Sequence, residues 1–449
     1  DWLDPRTDLF SRIAALFYQK QRELFGDTTM YKMDLLHEGG QRGTIPVAAA
    51  ADSVRDALLK AHPNAVWVLL GWENNPPQDI VRELGVDQAL MVDGLSDQYA
   101  TAKVRESDWL SRPYTFGMIN NYGARSTMGA NGSTWLSRFY GLLDKQGNAL
   151  SGIAYLPEAG GTDAAAFELF TDLAWHERSF DLDDWFGTYS TYRYGGFDEH
   201  ASNAWKIIGD TAYSLDLQHT KLHDSLFGAR PSLDGKSNWG AAFVRYDADE
   251  FAKALPELLE TAPELRATSA YRHDLVNVTR QVLSNRSRVL LPKIKAAFDA
   301  RDVSRFKTLA EIWLDYMRDL DALLATDPGF LLGNFLAGAR AAAGTDSEIA
   351  QLQYDQRSLL TTWGDKKGLE DYANREVSGL VGSLYKERWQ AYFDSLTEAL
   401  NSGASPKTID WFALEDAWAR KKEDLPTEAN GDAYALAKAI VDKIALEPN

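Results

Sequence analysis

Five apolar runs, each cut off by polar or charged residues, constrain the fold of this chain more than any other feature. They lie at 31–36, 65–70, 89–92, 113–119 and 149–156. The run AVWVLL at 65–70 is continuously apolar, as expected of a strand buried on both faces. Between the runs lie helical stretches. Residues 8–25 carry Leu9, Phe10, Ile13, Leu16, Phe17 and Leu24 in a helical stripe ended by Gly26, and 46–62, 77–84 and 134–143 also read as helices. Alternation of this kind is the grammar of a parallel sheet. Five strands are too few to close an eight-stranded barrel. The sheet is therefore open, or about three strands come from a segment outside this chain.

Strand signals fade after about residue 163. Helices are expected at 163–178, 182–194 and 199–213, then an irregular stretch at 216–247. From 249 to 445 the chain reads as almost wholly helical, most clearly at 289–300, 304–325, 347–361, 374–400 and 411–422. No fixed-period repeat is evident. The expected fold class is α/β followed by all-α: residues 1–162 form the C-terminal part of a (β/α)₈ barrel, and residues 163–449 form an α-helical domain.

Composition narrows the function. The 449 residues carry 47 basic and 65 acidic side chains, a formal charge of −18, which argues against binding a polyanion such as nucleic acid. No apolar run approaches the ~18 residues of a membrane span. Cysteine is absent, which removes disulfides, thiolate metal sites and cysteine nucleophiles. Phosphate-binding loops, dinucleotide fingerprints and the GxSxG elbow are also absent. Asn131, Asn277 and Asn285 each open an N-glycosylation triplet. His219 and His223 stand four apart, a spacing that suits metal ligands but here, with no HExxH glutamate, reads as an ordinary surface pair. No metal or cofactor is expected.

The strand ends carry the candidate chemistry. The first run is followed by His37-Glu38 and then Gly39, Gly40 and Gly43; the fifth ends in Pro157-Glu158, with Gly160-Gly161 beyond. Two carboxyls at one barrel rim suit glycoside hydrolysis, whose retaining form needs them about 5 Å apart. Glu38 and Glu158 are 120 positions apart, compatible with two strand ends of one barrel. Trp72, Glu73, Asp93, Asp97, Asn120, Asn121 and Tyr122 also follow apolar runs, offering hydroxyl-binding groups and rings that stack on sugars.

The segments LDPRTDLF, YKMDLLHE, AVWVLLGW, MVDGLSDQ, FGMINNYG and LPEAGG, taken in this order, resemble the alpha-N-acetylglucosaminidase family of glycoside hydrolases. In the helical half TTWG (361–364), DYANREVSGLV (371–381) and Arg388-Trp389 extend the likeness, which runs from Leu3 to near the C-terminus and is less distinct over 182–354. The resemblance implies a barrel followed by an all-α domain, with the site in the cleft between them. It implies Glu38 as general acid/base, Glu158 as nucleophile, and Trp72, Asn121, Tyr122 and Trp363 as sugar-binding residues. One departure concerns His37, which stands where the family usually has Asn, at a position that often touches the 2-substituent of the sugar. The family also carries an N-terminal domain and the first barrel strands before the equivalent of Leu3. An N-terminal segment or second chain is therefore expected to complete the barrel.

The resemblance implies an exo-acting retaining hydrolase that releases terminal α-linked N-acetylglucosamine from glycans such as mucin, without metal or organic cofactor. Two alternatives stand beside it: a related glycosidase for another α-linked sugar, because of His37, and a non-catalytic carbohydrate-binding relative. Glycan-degrading enzymes are usually exported, so an extracellular or cell-surface location is expected.

Overall fold

The structure is a computed structural model that describes residues 3–38, 40–98, 105–158, 163–215, 222–235, 237, 239–364 and 369–447. All five apolar runs contain strands: β1 (Met30–Lys32), β2 (Val66–Gly71), β3 (Ala89–Asp93), β4 (Tyr114–Met118) and β5 (Leu150–Tyr155). They form one parallel sheet in the order β1-β2-β3-β4-β5. Each strand lies beside the next in sequence, the order of a barrel wall wound in one direction. Registers such as Gly71 opposite Asp93 and Met118 opposite Tyr155 bring the carboxyl ends of the strands to a common rim.

The helices α1 (Asp8–Phe25), α2 (Val47–Ala61), α3 (Gln78–Val81) and α4 (Gly132–Leu143) accompany the sheet. Val47, Ala51, Val54 and Leu58 of α2 share a core with Trp67 and Leu69 of β2 and Met91 of β3. Trp135, Leu136 and Phe139 of α4 pack with Phe116 and Met118 of β4 in a second core, which also takes in helices Ala164–Asp172, Leu182–Tyr194 and Glu199–Ile208. β4 is buried along its whole length.

β1 is shorter than its apolar run. Its ladder ends with the Met33 amide on Val68, after which the Asp34 carboxylate accepts the Leu70 amide at 3.3 Å and the chain turns away. Among the described residues β1 and β5 each pair on one side only. α1 is capped as its sequence suggests, by the Thr7 hydroxyl accepting the Phe10 amide and by Gly26. Of its side chains only Ala14 and Tyr18 are buried, however, and the apolar stripe looks outward: Phe17 is 63% exposed and Leu24 73%.

The helical half is built round Trp313 and Trp389, whose rings lie 4.3 Å apart between Phe227, Phe306 and Phe393. Two expectations need correction there. The helix read at 289–300 begins twenty residues earlier and runs Ser269–Asp299. Its first half hides polar groups that mask the pattern: Asp274 pairs with Arg193, and Arg280 with Glu376 at 2.7 Å. The single helix read at 374–400 is only Lys386–Ser402, entered through a π-turn at Val381–Tyr385. Residues 374–380 are pulled out of helix because the amides of Arg375 and Glu376 bond to Tyr385 and Ser126, and Gly379 takes φ +88°.

The glycosylation triplets at Asn131 and Asn285 are buried, with Asn131 donating to Asp97 and Asn285 engaged with His223. His219 lies outside the described residues. His223 is not a surface residue: it is 1% exposed, 2.8 Å from the Asn285 carbonyl oxygen and edge-on to Tyr246. Burial pushes its imidazole down to about 4, with Arg288 and Arg280 acting in the same direction and the Asn285 bond and Asp224 opposing. The folded value lies below the ordinary one, so the unfolded chain takes the proton first. This contribution to stability is complete above about pH 6.5 and is lost as the pH falls toward 4. Urea denaturation at pH 7 and pH 4.5 should show wild type losing about 2–3 kcal/mol more than His223→Gln over that interval.

Candidate active site

The rim at the strand ends opens into a cleft of about 640 Å³. Its walls come from both halves of the chain: His37, Glu38, Trp72, Glu73, Tyr122 and Glu158 from the sheet side, Trp239 and Tyr372 from beyond it. Glu38 is set there by the segment leaving β1, whose Met33 carbonyl accepts the Trp67 indole N–H at 2.8 Å. That indole is fully buried in β2, so the sheet core fixes the path to His37-Glu38. Glu158 follows β5 directly. Both carboxylates are exposed to the cleft.

Among the described residues, two lining side chains hold buried polar atoms without a protein partner, His37 through Nδ1 and Trp72 through Nε1. A buried donor or acceptor left open in a cleft wall is a place for a ligand atom. The Trp72 ring stands 6.0 Å from the Tyr122 ring, inclined at 60°, and the Tyr122 hydroxyl accepts the Gln98 amide. Together they make an apolar wall with polar edges.

The structure separates the other strand-end residues by role. Asp93 is buried and paired at 3.0 Å with Arg105, which also donates to the carbonyls of Gly71, Glu73 and Asn75 and so ties the loops after β2 and β3 together. Burial pushes Asp93 up to about 6 against the pull of Arg105. Asp97 receives the Asn131 amide and the Trp135 indole. Asn120 is buried and outside the cleft lining. Asn121 is also outside it: its backbone is left-handed, φ +51°, and its amide donates to the Thr127 carbonyl, so it shapes the loop after β4. Trp363 does not line the cleft either. It is 37% exposed and stands edge-on to Tyr372 at 5.0 Å.

Glu158 has the most developed surroundings. It accepts the Gly123 amide through Oε2, and the Tyr372 hydroxyl lies 2.8 Å from each of its two oxygens. Burial, then the hydrogen bond to Glu158, push the Tyr372 phenol well above its usual value, so the hydroxyl is held protonated as a donor. Lys32, Gln98, Arg125, Trp239 and Tyr372 are polar or aromatic lining residues that sequence reasoning did not single out, and Tyr372 and Trp239 are the two of them that come from beyond the sheet. Neither belongs to an apolar stripe or a strand end. The available signal was a tyrosine in the irregular stretch before the Lys386–Ser402 helix, inside the DYANREVSGLV segment.

For metal binding, the described residues offer one close acidic group, Asp181, Asp183 and Asp184. Asp181 caps its helix and Asp183 pairs with Lys206 at 3.0 Å, and none of the three lines the cleft. The cleft presents three acidic side chains, Glu38, Glu73 and Glu158, an aromatic wall and a hydroxyl donor, a set able to bind a sugar ring and transfer protons or a glycosyl group at one carbon.

Comparison with known proteins agrees with this chemistry. The family model described as the alpha-N-acetylglucosaminidase (NAGLU) tim-barrel domain matches residues 1–177, and the C-terminal domain of the same family matches residues 185–443. Human alpha-N-acetylglucosaminidase is 26% identical over 460 residues, covering 98% of this chain and 61% of the human protein. A family 89 glycoside hydrolase from Clostridium perfringens, with two glutamates changed to glutamine and bound to its substrate GlcNAc-alpha-1,4-galactose, superposes with a TM-score of 0.89 at 29% identity. The same enzyme with 2-acetamido-1,2-dideoxynojirmycin gives 0.89 at 30% identity. Each of these matches covers 97% of this chain and 51% of the solved one, so the chain spans about half the length of these structures. With a barrel-type sheet, a helical half and an acidic cleft between them, the chain belongs to the alpha-N-acetylglucosaminidase family.

Proposed function

We propose that this chain carries the catalytic cleft of an exo-acting retaining hydrolase for terminal α-linked N-acetylglucosamine. The observation that carries the reading is the placement of Glu38 and Glu158, from the first and last strands of the sheet, on one cleft with an aromatic wall. The Clostridium perfringens enzyme was captured with its substrate after two glutamates about 120 positions apart were changed to glutamine, a spacing close to that of Glu38 and Glu158.

In the first step Glu158 attacks the anomeric carbon while Glu38 gives its proton to the departing glycosidic oxygen. A glycosyl–Glu158 ester forms and the aglycone leaves as an alcohol. In the second step Glu38, now a carboxylate, takes a proton from water, and the resulting oxygen nucleophile displaces Glu158. Two displacements return the α-anomer. Trp72 and Tyr122 supply the ring contacts. His37 Nδ1, buried without a protein partner, faces a polar group of the sugar, and at this family position that group is the 2-substituent.

The same open atom supports one second reading, a site tuned to a different 2-substituent. Hydrolysis of p-nitrophenyl α-N-acetylglucosaminide by the full-length protein, beside the α-glucoside and α-galactoside, separates the two. Glu158→Gln should abolish turnover, and Glu38→Gln should lower kcat by about 10²–10⁴-fold. Sugar binding without turnover of any glycoside would leave a binding protein instead.

We also propose that about three further parallel strands with their helices, from a segment outside this chain, close the barrel between β5 and β1. The one-sided pairing of both edge strands and the outward stripe of α1 support this. A surface substitution usually changes stability by less than about 0.5 kcal/mol. Phe17→Glu should instead lower the melting temperature of the full-length protein by several degrees, because Phe17 would be covered there. An unchanged melting temperature would count against a covering layer.

A further inference from the structure

We infer that Tyr372 is a positioning residue for Glu158, held in place by a buried charge cluster of the helical half, and that it decides which carboxylate oxygen attacks. The inference rests on Glu158 being the nucleophile. Equal distances of 2.8 Å put the Tyr372 hydroxyl on the bisector of the carboxylate, so one O–H is shared by two oxygens and the carboxylate cannot turn without losing it. Oε2 receives a second donor, the Gly123 amide. Its electron density is spent on two hydrogen bonds. Oε1 carries only its share of one, so Oε1 is the oxygen left to attack the anomeric carbon.

The hydroxyl reaches this point because of the residue before it. Asp371 holds φ +60°, a left-handed backbone that aspartate and asparagine adopt more readily than other non-glycine residues. Its side chain is fixed by an ion pair with Arg388 at 2.9 Å, both side chains buried. Arg388 meets Glu415 at 2.6 Å, Glu415 meets Arg230 at 2.6 Å, and Arg230 reaches Glu370 at 3.3 Å. Each charge in the cluster has an opposite neighbour, as burial demands. The Trp239 indole donates to the Glu370 carbonyl, and its ring meets Tyr372 edge-on at 5.2 Å, with Trp363 on Tyr372 at 5.0 Å. The peptide is fixed by the charges and the ring by the two indoles. A tyrosine placed only for packing would have no reason to bisect a carboxylate from the other half of the chain.

The test uses the full-length protein and p-nitrophenyl α-N-acetylglucosaminide. Tyr372→Phe keeps the ring and its two indole contacts and deletes one O–H. It should lower kcat about 10- to 100-fold, because the attacking carboxylate is then free to turn out of line with the anomeric carbon, with KM little changed and the same melting temperature. The pre-steady-state rate of nitrophenol release should fall by the same factor, because the covalent step is the one that slows. Asp371→Asn accepts the left-handed backbone but gives up the ion pair. It should also lower kcat at constant KM, by a smaller factor. Glu158→Gln is run beside them. If it keeps its turnover, the nucleophile assignment fails whatever Tyr372 does. If Glu158→Gln is inactive while Tyr372→Phe has wild-type kcat, or changes KM alone, the positioning role is overturned.

Discussion

Arg125 is buried, and the carboxylate that meets it, Asp224 at 2.8 Å, lies 99 residues further along the chain. A buried charge without its partner is destabilising by about 3–5 kcal/mol. The loop after β4 therefore cannot take its shape unless the helical half is in place. The same loop offers Gly123 at φ +70°, where a Cβ would come within 2.3 Å of the Tyr372 carbonyl oxygen, so the two backbones meet at a distance only glycine allows. Arg375 closes the contact by donating to the Gly123 carbonyl. The cleft exists because these contacts hold the strand ends and the 371–376 segment against each other.

This seam explains the division of labour at the cleft. The sheet supplies groups whose position follows from strand register, Glu38 after β1 and Glu158 after β5, while the helical half supplies Tyr372, which contacts Glu158. Strand ends are rigid but all point toward one rim, so they define a floor more readily than a roof. The segment bearing Tyr372 crosses above that rim, and its rigidity comes from ion pairs and indole contacts rather than from secondary structure. The aromatic content of the chain, 14 Trp, 19 Tyr and 19 Phe, serves mainly the cores. Trp67, Trp135, Trp313 and Trp389 are all buried, and Trp72 and Trp239 are the two indoles that line the cleft.

What could be read from the sequence followed from periodicity. The five apolar runs became five strands in chain order, because short apolar runs cut off by polar residues and separated by helical stretches are what a parallel sheet leaves in a sequence. Glu38 and Glu158 could be singled out because glycines and a proline mark where those strands stop. The failures share one cause, polar side chains doing structural work out of water. The helix Ser269–Asp299 buries Asp274, Arg280, Gln281 and Asn285, which look like surface residues until Arg193, Glu376 and His223 are placed beside them. The Asn121 amide donates to the Thr127 carbonyl of its own loop, a contact the sequence did not show. Tyr372 could not be assigned a role at all, since its contact with Glu158 spans 214 positions and depends on a left-handed Asp371 that no local pattern announces.

The charges of the cleft bear on what it can hold. Its basic side chains each have a carboxylate partner: buried Arg125 is paired with Asp224, and Lys32, 63% exposed, lies 2.5 Å from Asp34. Glu38, Glu73 and Glu158 face the same space, in a chain whose formal charge is −18. A sulfated or phosphorylated sugar ring would bring its anion against these carboxylates with no free cation among the described lining residues to receive it. A neutral ring meets no such penalty and gains the Trp72–Tyr122 wall and the open nitrogens of His37 and Trp72. Under the proposed activity, an anionic polymer would have to keep its charges outside the cleft and present an uncharged terminal sugar to Glu158.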